Sequence, residues 1–288
     1  MSSDPIAKLI AEHPLPESYR EIVETYWQPL AREIARRATA RSPLVVGVNG
    51  AQGSGKSTVC AFLEVLLAKR GLRAITLSID DLYLKRDERL ALAAQVHPLF
   101  ATRGVPGTHA PGLAMQIIED ICAGRSFEVP RFDKAVDDRR GEGERISGPE
   151  DVLLFEGWCV GCTPQADEEL LEPVNELERD EDPEGVWRSV VNLWLRGDYK
   201  ELFAQIDMLV MLKVAGFEAV LANRRKQEEK LRAANPGASG VMDDAALVRF
   251  CQHYERLTRH MMEDLPRRAD FTFSIGPDQS PESLPKGL

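Results

Sequence analysis

The sequence predicts an α/β fold, a parallel sheet covered by helices on both faces. Three observations carry that expectation. Strand-length apolar runs alternate with helix-period segments along the chain. A glycine-rich turn sits between the first such run and the helix after it. Two further runs end in acidic residues.

The elements follow in order. Residues 17–40 place Ile22, Val23, Tyr26, Trp27, Leu30, Ile34 and Ala38 at helical spacing, and Ser42-Pro43 ends the helix. Leu44–Val48 is a short apolar strand. Val59, Phe62, Leu63, Leu66 and Leu67 then line one face of a helix, with Gly71 placed to stop it. Ile75, Leu77 and Ile79 alternate with Thr76 and Ser78, a strand pattern. Val152–Phe155, Met208–Leu212 and Phe271–Ile275 are three more strands. Residues 111–123, 186–204, 216–233 and 243–263 read as helices between them. No internal repeat or linker divides the chain, so 1–288 is expected to form one domain. Within it, 1–42 is a helical extension, 100–150 an acceptor-binding insertion, and 216–263 a lid with the helix that follows it.

Composition narrows the class. Hydrophobic residues make up 43% of the 288 and charged residues 28%, a balance that can bury a core. No apolar run reaches the roughly 18 residues a membrane span needs, and the first ten residues lack signal-peptide order. A cytoplasmic protein without a membrane partner is the expectation. The net charge of −10 argues against nucleic acid as a partner. Ten of the carboxylates lie between Asp167 and Glu184 beside one cation, Arg179, so the rest of the chain is nearly neutral. That acidic stretch reads as a solvated loop. Five cysteines are an odd number and are read as free thiols. Cys159 and Cys162 stand at C-x-x-C spacing without a second pair, so a tight turn is favoured over zinc. Nothing here fixes the oligomeric state, and a monomer is the default.

The chemistry-bearing motif is Gly50-Ala51-Gln52-Gly53-Ser54-Gly55-Lys56-Ser57, which fits G-x-x-x-x-G-K-[ST]. Gly50, Gly53, Ser54 and Gly55 let backbone N–H groups turn inward around phosphates. Lys56 can reach the β- and γ-phosphates of ATP, and the Ser57 hydroxyl suits Mg²⁺. The following helix aims its positive end at the same anion. A strand before the motif and an amphipathic helix after it supply the context this loop requires. The expected fold is therefore the three-layer P-loop NTPase fold with a mobile helical lid.

Phosphoryl transfer needs a group to orient or deprotonate the attacking hydroxyl and a carboxylate for the metal shell. The second strand runs into Asp80-Asp81 and the third into Glu156-Gly157, on the edge where the glycine-rich loop lies. Asp80 is assigned the base role and Glu156 the metal role; a helix cap or solvated turn is the plainer reading of each. Arg103, His109, Arg125, Arg131, Lys134, Arg139 and Arg140 gather between these strands, cations suited to a small anionic acceptor. Arg103, His109, Arg131 and Lys134 are the candidate substrate residues. Arg224 and Arg225 sit on a helix before the loop Asn235–Gly240 and are candidate phosphate-binding residues of the lid.

Gly50–Thr58, Ser78-Ile79-Asp80-Asp81-Leu82-Tyr83 and Phe155-Glu156-Gly157-Trp158 together resemble the phosphoribulokinase, uridine kinase and pantothenate kinase group. Arg103–His109 and Pro130–Ala135 look closer to D-glycerate 3-kinase and its fungal and bacterial relatives, and the likeness covers about residues 40–275. It implies ATP-dependent phosphorylation of a glycerate hydroxyl, with Thr58 in the nucleotide loop, Asp80 as base, Glu156 on magnesium and Tyr83 near the acceptor. Ala110 departs from the Asp expected after the Pro-Gly-Thr-His run, and Asn223 from the Trp expected before the lid arginine. A sugar-phosphate, nucleoside or pantothenate-type kinase is the alternative, and a regulatory P-loop NTPase a further one.

Overall fold

The computed structural model describes residues 4–40, 43–234 and 242–288. Five parallel strands form the central sheet: β1 (Leu44–Gly50), β2 (Ala74–Ser78), β3 (Val152–Gly157), β4 (Met208–Val214) and β5 (Phe271–Ile275), in spatial order β2-β3-β1-β4-β5. All five match the expected strands: the inner strands are near-continuous apolar runs buried almost throughout, and the edge strands β2 and β5 alternate. Strand β1 is buried throughout and lies between two neighbours.

The helices are α1 (Pro5–Glu12), α2 (19–40), α3 (Lys56–Ala68), α4 (Arg86–Gln95), α5 (Pro111–Cys122), α6 (Glu176–Glu181), α7 (Val186–Arg196), α8 (Asp198–Phe203), α9 (Phe217–Ala234) and α10 (Asp244–Asp264). α2 is continuous but passes through a π-turn at Val23–Trp27. The single helix expected over 186–204 divides at Gly197, whose backbone leaves the helical region. α1 falls within the expected helical extension, whereas α4 and α6 have no counterpart in the expectations; α4 shows solvent most of its length, so its apolar signal is thin. The insertion 100–150 also contains two small antiparallel ladders: Phe127–Val129 with Glu144–Ile146, and Phe132–Asp133 with Asp138–Arg139.

Two cores flank the sheet, divided by the period-two alternation of its strands. Val46, Val48, Leu154 and Val210 face one core with Trp27, Leu30, Ile34 and Phe62 from α2 and α3. Val45, Leu153, Phe155 and Leu209 face the other with Ile117, Val191, Tyr199 and Leu257 from α5, α7, α8 and α10. The N-terminal segment is thus part of the fold, with Trp27 packed on Phe273 of the far strand at 5.1 Å. Among the described residues no helix is long and apolar enough to cross a membrane.

The acidic stretch 167–184 is not the solvated loop expected of it. Glu178 is fully buried and grips Arg256 of α10 with both oxygens, at 2.8 and 2.6 Å. The same guanidinium donates to the carbonyls of Glu169 and Glu172 at 2.7 and 2.6 Å. Asp182 likewise takes Arg188 and the N–H of Trp187 at the start of α7. Charge density in the sequence hid two acids whose partners lie on other helices. Cys159 and Cys162 close a tight turn through the Cys162 N–H to Cys159 carbonyl bond of 3.0 Å, as the spacing suggested, and Cys60, Cys159, Cys162 and Cys251 are free thiols.

Removing one half of a buried ion pair leaves the other charge without compensation. Glu178→Ala should cost about 3–5 kcal/mol in chemical denaturation. Adding Arg256→Met should return much of that loss.

Candidate active site

The glycine-rich loop leaves β1 at its carboxyl end and turns into α3 through Gly53 and Gly55, at φ +76° and +91°. Both values belong to the left-handed region that a side chain resists. Gly53 has a second constraint: a Cβ there would stand 2.7 Å from Cβ of Asn223 on α9. The Asn223 amide donates to the Gly53 carbonyl at 3.4 Å, so the residue that departs from the expected Trp packs directly on the phosphate loop. The first N–H groups of α3 have no partner within the helix and point out of its start.

A cavity of about 590 Å³ opens above this loop. Gly53, Lys56 and Ser57 form its floor, Glu156 and Asp80 stand at strand ends on one side, and Arg224 closes the far side. The Ser57 hydroxyl donates to Glu156 Oε1 at 3.0 Å. This hydroxyl and carboxylate are the oxygen donors a hard divalent cation takes when phosphates and water complete its shell. Lys56 Nζ donates to the Ala51 carbonyl at 3.2 Å across the loop.

Asp80 lies in a 3₁₀ turn, Ile79–Leu82, that caps β2, two residues beyond where the strand stops. Its Oδ1 accepts from the Tyr83 hydroxyl at 2.8 Å and its Oδ2 from Lys134 Nζ at 2.6 Å. Burial by itself would raise its pKa, but the charge and hydrogen bond of Lys134 outweigh that and hold it at about 2. Asp81, which touches both this cavity and its neighbour, fixes the Phe132–Arg139 hairpin, accepting from the Phe132 N–H and from Arg131, each at 3.0 Å.

Arg103 and Lys134 both reach the cavity wall, and so does Tyr83. Arg103 pairs with Asp137 and lies over the Phe132 ring at 5.5 Å. Other expected residues lie elsewhere. Arg131 turns into a neighbouring cavity of about 410 Å³, where it pairs with Asp81 and Glu144. Arg225 faces outward to Asp244 at 2.7 Å, whereas Arg224 lies across the Phe250 ring with Gln227 and Glu228 holding its guanidinium. Gly50, Ser54, Gly55 and Thr58 belong to the loop and helix start without lining the cavity. The loop Asn235–Gly240, expected to follow the lid arginines, lies outside the described residues.

His109 departs furthest from expectation. It is buried behind Tyr83, stacked on that ring at 4.6 Å, with Nδ1 2.7 Å from the Tyr199 hydroxyl. Burial lowers its pKa to about 4, so it is a neutral support for Tyr83 and not one of the cations. Its motif is built for packing: Gly104 has φ +136°, and a Cβ there would meet the Tyr254 hydroxyl at 2.2 Å. Trp158, Phe250 and Tyr254 also line the cavity and went unnamed as site residues. Their aromatic character looks like ordinary core in the sequence; only α10 crossing the strand ends brings Phe250 and Tyr254 there.

Comparison with known proteins now has a site to refer to. A Schizosaccharomyces pombe protein described as the uncharacterized kinase mug58 is 32% identical over 225 residues, covering 74% of this chain and 78% of the relative. The chain belongs to the uridine kinase and phosphoribulokinase-like P-loop kinases. No protein-family model matches it. The chloroplastic D-glycerate 3-kinase of Arabidopsis thaliana is 28% identical over 214 residues, 70% of this chain and 44% of that protein. A solved D-glycerate 3-kinase from Cryptococcus neoformans superposes with a TM-score of 0.73 at 26% identity, over 89% of this chain and 96% of the other. This P-loop kinase is thus an ATP-dependent phosphotransferase with an alcohol as acceptor, and the purely regulatory reading is set aside.

Two buried histidines give this kinase a defined response to acid. His109 and His253 both have folded pKa values lowered to about 4 by burial, against 6.5 for the free side chain. Between these values the unfolded chain binds the protons and the native chain does not, so stability falls as pH drops from 6.5 towards 4. The slope should approach about 1.4 kcal/mol per pH unit for each histidine. His109→Phe should remove about half of that histidine contribution in urea titrations across the window.

Proposed function

We propose that this chain is a cytoplasmic kinase that transfers the γ-phosphoryl group of ATP, with Mg²⁺, to a hydroxyl of D-glycerate or a similarly small hydroxy acid. The observation that carries the reading is the Asp80 carboxylate on the wall of a cavity floored by Lys56 and Ser57, with Arg103 and Lys134 beside it. An acceptor bearing both an alcohol and a carboxylate matches a base flanked by cations. The buried free thiols Cys60, Cys159, Cys162 and Cys251 suit a reducing compartment.

Each residue then has a definite part. The loop amides at Gly53–Ser57 and the start of α3 bind the polyphosphate, and Lys56 reaches its terminal groups. Ser57 and Glu156 would hold the magnesium ion, which supplies positive charge against the phosphates when bound. Asp80 orients the acceptor hydroxyl and takes its proton, and Tyr83 fixes that carboxylate from below. Arg103 and Lys134 hold the acceptor's anionic end. Arg224, pinned on α9 and facing the loop, adds charge where the transferring group develops it. α9 and α10 serve as the lid that excludes water.

The reading is tested by coupled ADP release against D-glycerate, pantothenate, ribulose 5-phosphate and uridine. Glycerate should support turnover, and Asp80→Asn should lower it at least ~100-fold, in line with general-base contributions. Turnover with uridine alone would reject the acceptor, and full activity of Asp80→Asn would reject the base.

A further inference from the structure

Both oxygens of Asp80 are taken, by partners held in very different ways. Tyr83 is buried and wedged between His109 and Phe132, the latter ring edge-on at 5.1 Å. Its hydroxyl has no freedom to leave. Lys134 begins the turn of the Phe132–Arg139 hairpin, and its side chain is 61% exposed. The hairpin is anchored at other points: the Phe132 N–H on Asp81, Arg139 on the Tyr83 carbonyl at 2.7 Å, and Asp137 on Arg89 and Arg103. The Lys134 ammonium can therefore change partners while the hairpin stays in place.

A carboxylate capped by an ammonium is a poor base, since proton transfer weakens as the acceptor's pKa falls. Burial pushes Asp80 up, and the Lys134 charge is the largest influence bringing it down. An incoming carboxylate offers Lys134 a second anion at the same wall, next to Arg103.

We propose that Lys134 guards the base: it caps Asp80 in the free enzyme and passes its ammonium to the carboxylate of an anionic acceptor, so that only such an acceptor uncovers Asp80. This rests on the reading of Asp80 as the base. In the step it controls, the acceptor O–H proton moves to Asp80 Oδ2 as the hydroxyl oxygen bonds to the γ-phosphorus. The bond from that phosphorus to the β–γ bridging oxygen breaks, and its electron pair leaves with ADP. The proton passes from Asp80 to solvent after the product departs. Water and uncharged alcohols bring no rival anion and meet a capped carboxylate. Selectivity against them is then built into the base itself, in addition to any affinity for the acceptor's charge.

A lysine that merely binds the acceptor makes a different forecast: its loss would weaken glycerate and leave uncharged acceptors unchanged. The experiment measures ADP release by Lys134→Met, Asp80→Asn and the double variant with D-glycerate, with glycerol, and with water alone. Lys134→Gln serves as a second neutral replacement. In Lys134→Met, kcat/KM for glycerate should fall while turnover on glycerol and on water rises about tenfold, a modest share of what a general base supplies. Lys134→Arg should restore the low background, and the double variant should lose the gain. Glycerol and water rates that stay level or drop in both neutral variants overturn the proposal. A gain that survives in the double variant overturns it too. Wild-type glycerate turnover in Asp80→Asn would remove the base assignment beneath it, an outcome that arm alone reports.

Discussion

Glu156 of β3 stands level with Val48 of β1 on one side and Ser78 of β2 on the other, and the site depends on that parallel register. Because the three strands run the same way, their carboxyl ends open together. The phosphate loop, the Glu156 carboxylate and the turn bearing Asp80 therefore emerge along one edge. A slip by one residue would turn Glu156 into a core and send Phe155 to the other face. The Asn49 side chain reinforces the alignment, donating to the carbonyls of Trp158 and Val160 at 3.0 and 2.8 Å just past the end of β3. The floor and one wall of the cavity follow from sheet geometry alone.

The rest of the lining has another origin. Nothing in the sheet places Lys134, Arg103 or Tyr254 there; side-chain bonds between distant segments do. Arg89 is almost wholly buried and binds the carbonyls of Ala101 and Asp137 at 2.9 and 2.8 Å, tying α4, the 100–110 turn and the hairpin together. Tyr254 donates to the Arg103 carbonyl at 2.8 Å, and Trp158 to that of Gly104 at 2.9 Å. The acceptor side is thus a polar framework built on a rigid sheet. Such a framework stays in place only while its buried donors and acceptors are matched.

That division explains what could be read from the sequence. Strands announced themselves through continuous apolar runs, and the phosphate loop through glycines that tolerate left-handed backbone. The placement of Asp80 and Glu156 at carboxyl ends of strands was legible because one apolar run gives way to acid just past its end and the other runs straight into one. His109 was misread because a histidine in a punctuated turn looks the same whether its ring faces a ligand or the back of a tyrosine. Arg131 and Arg225 were misplaced for a related reason: their direction is decided by Asp81, Glu144 and Asp244, which lie far off in sequence or outside any motif. Glu178 and Asp182 were hidden inside a run of like charges, and only their partners on other helices set them apart.

The contact between Gly53 and Asn223 has a mechanical consequence. Main chain there meets the first carbon of a side chain, with no flexible atoms between them to absorb a displacement. A tilt of α9 is consequently felt at the amides of the turn beneath it, and a ligand that tightens the turn presses back on the helix through the same touching pair. Enlarging either partner would wedge the two apart, so residue 53 sets how closely the roof can approach the floor.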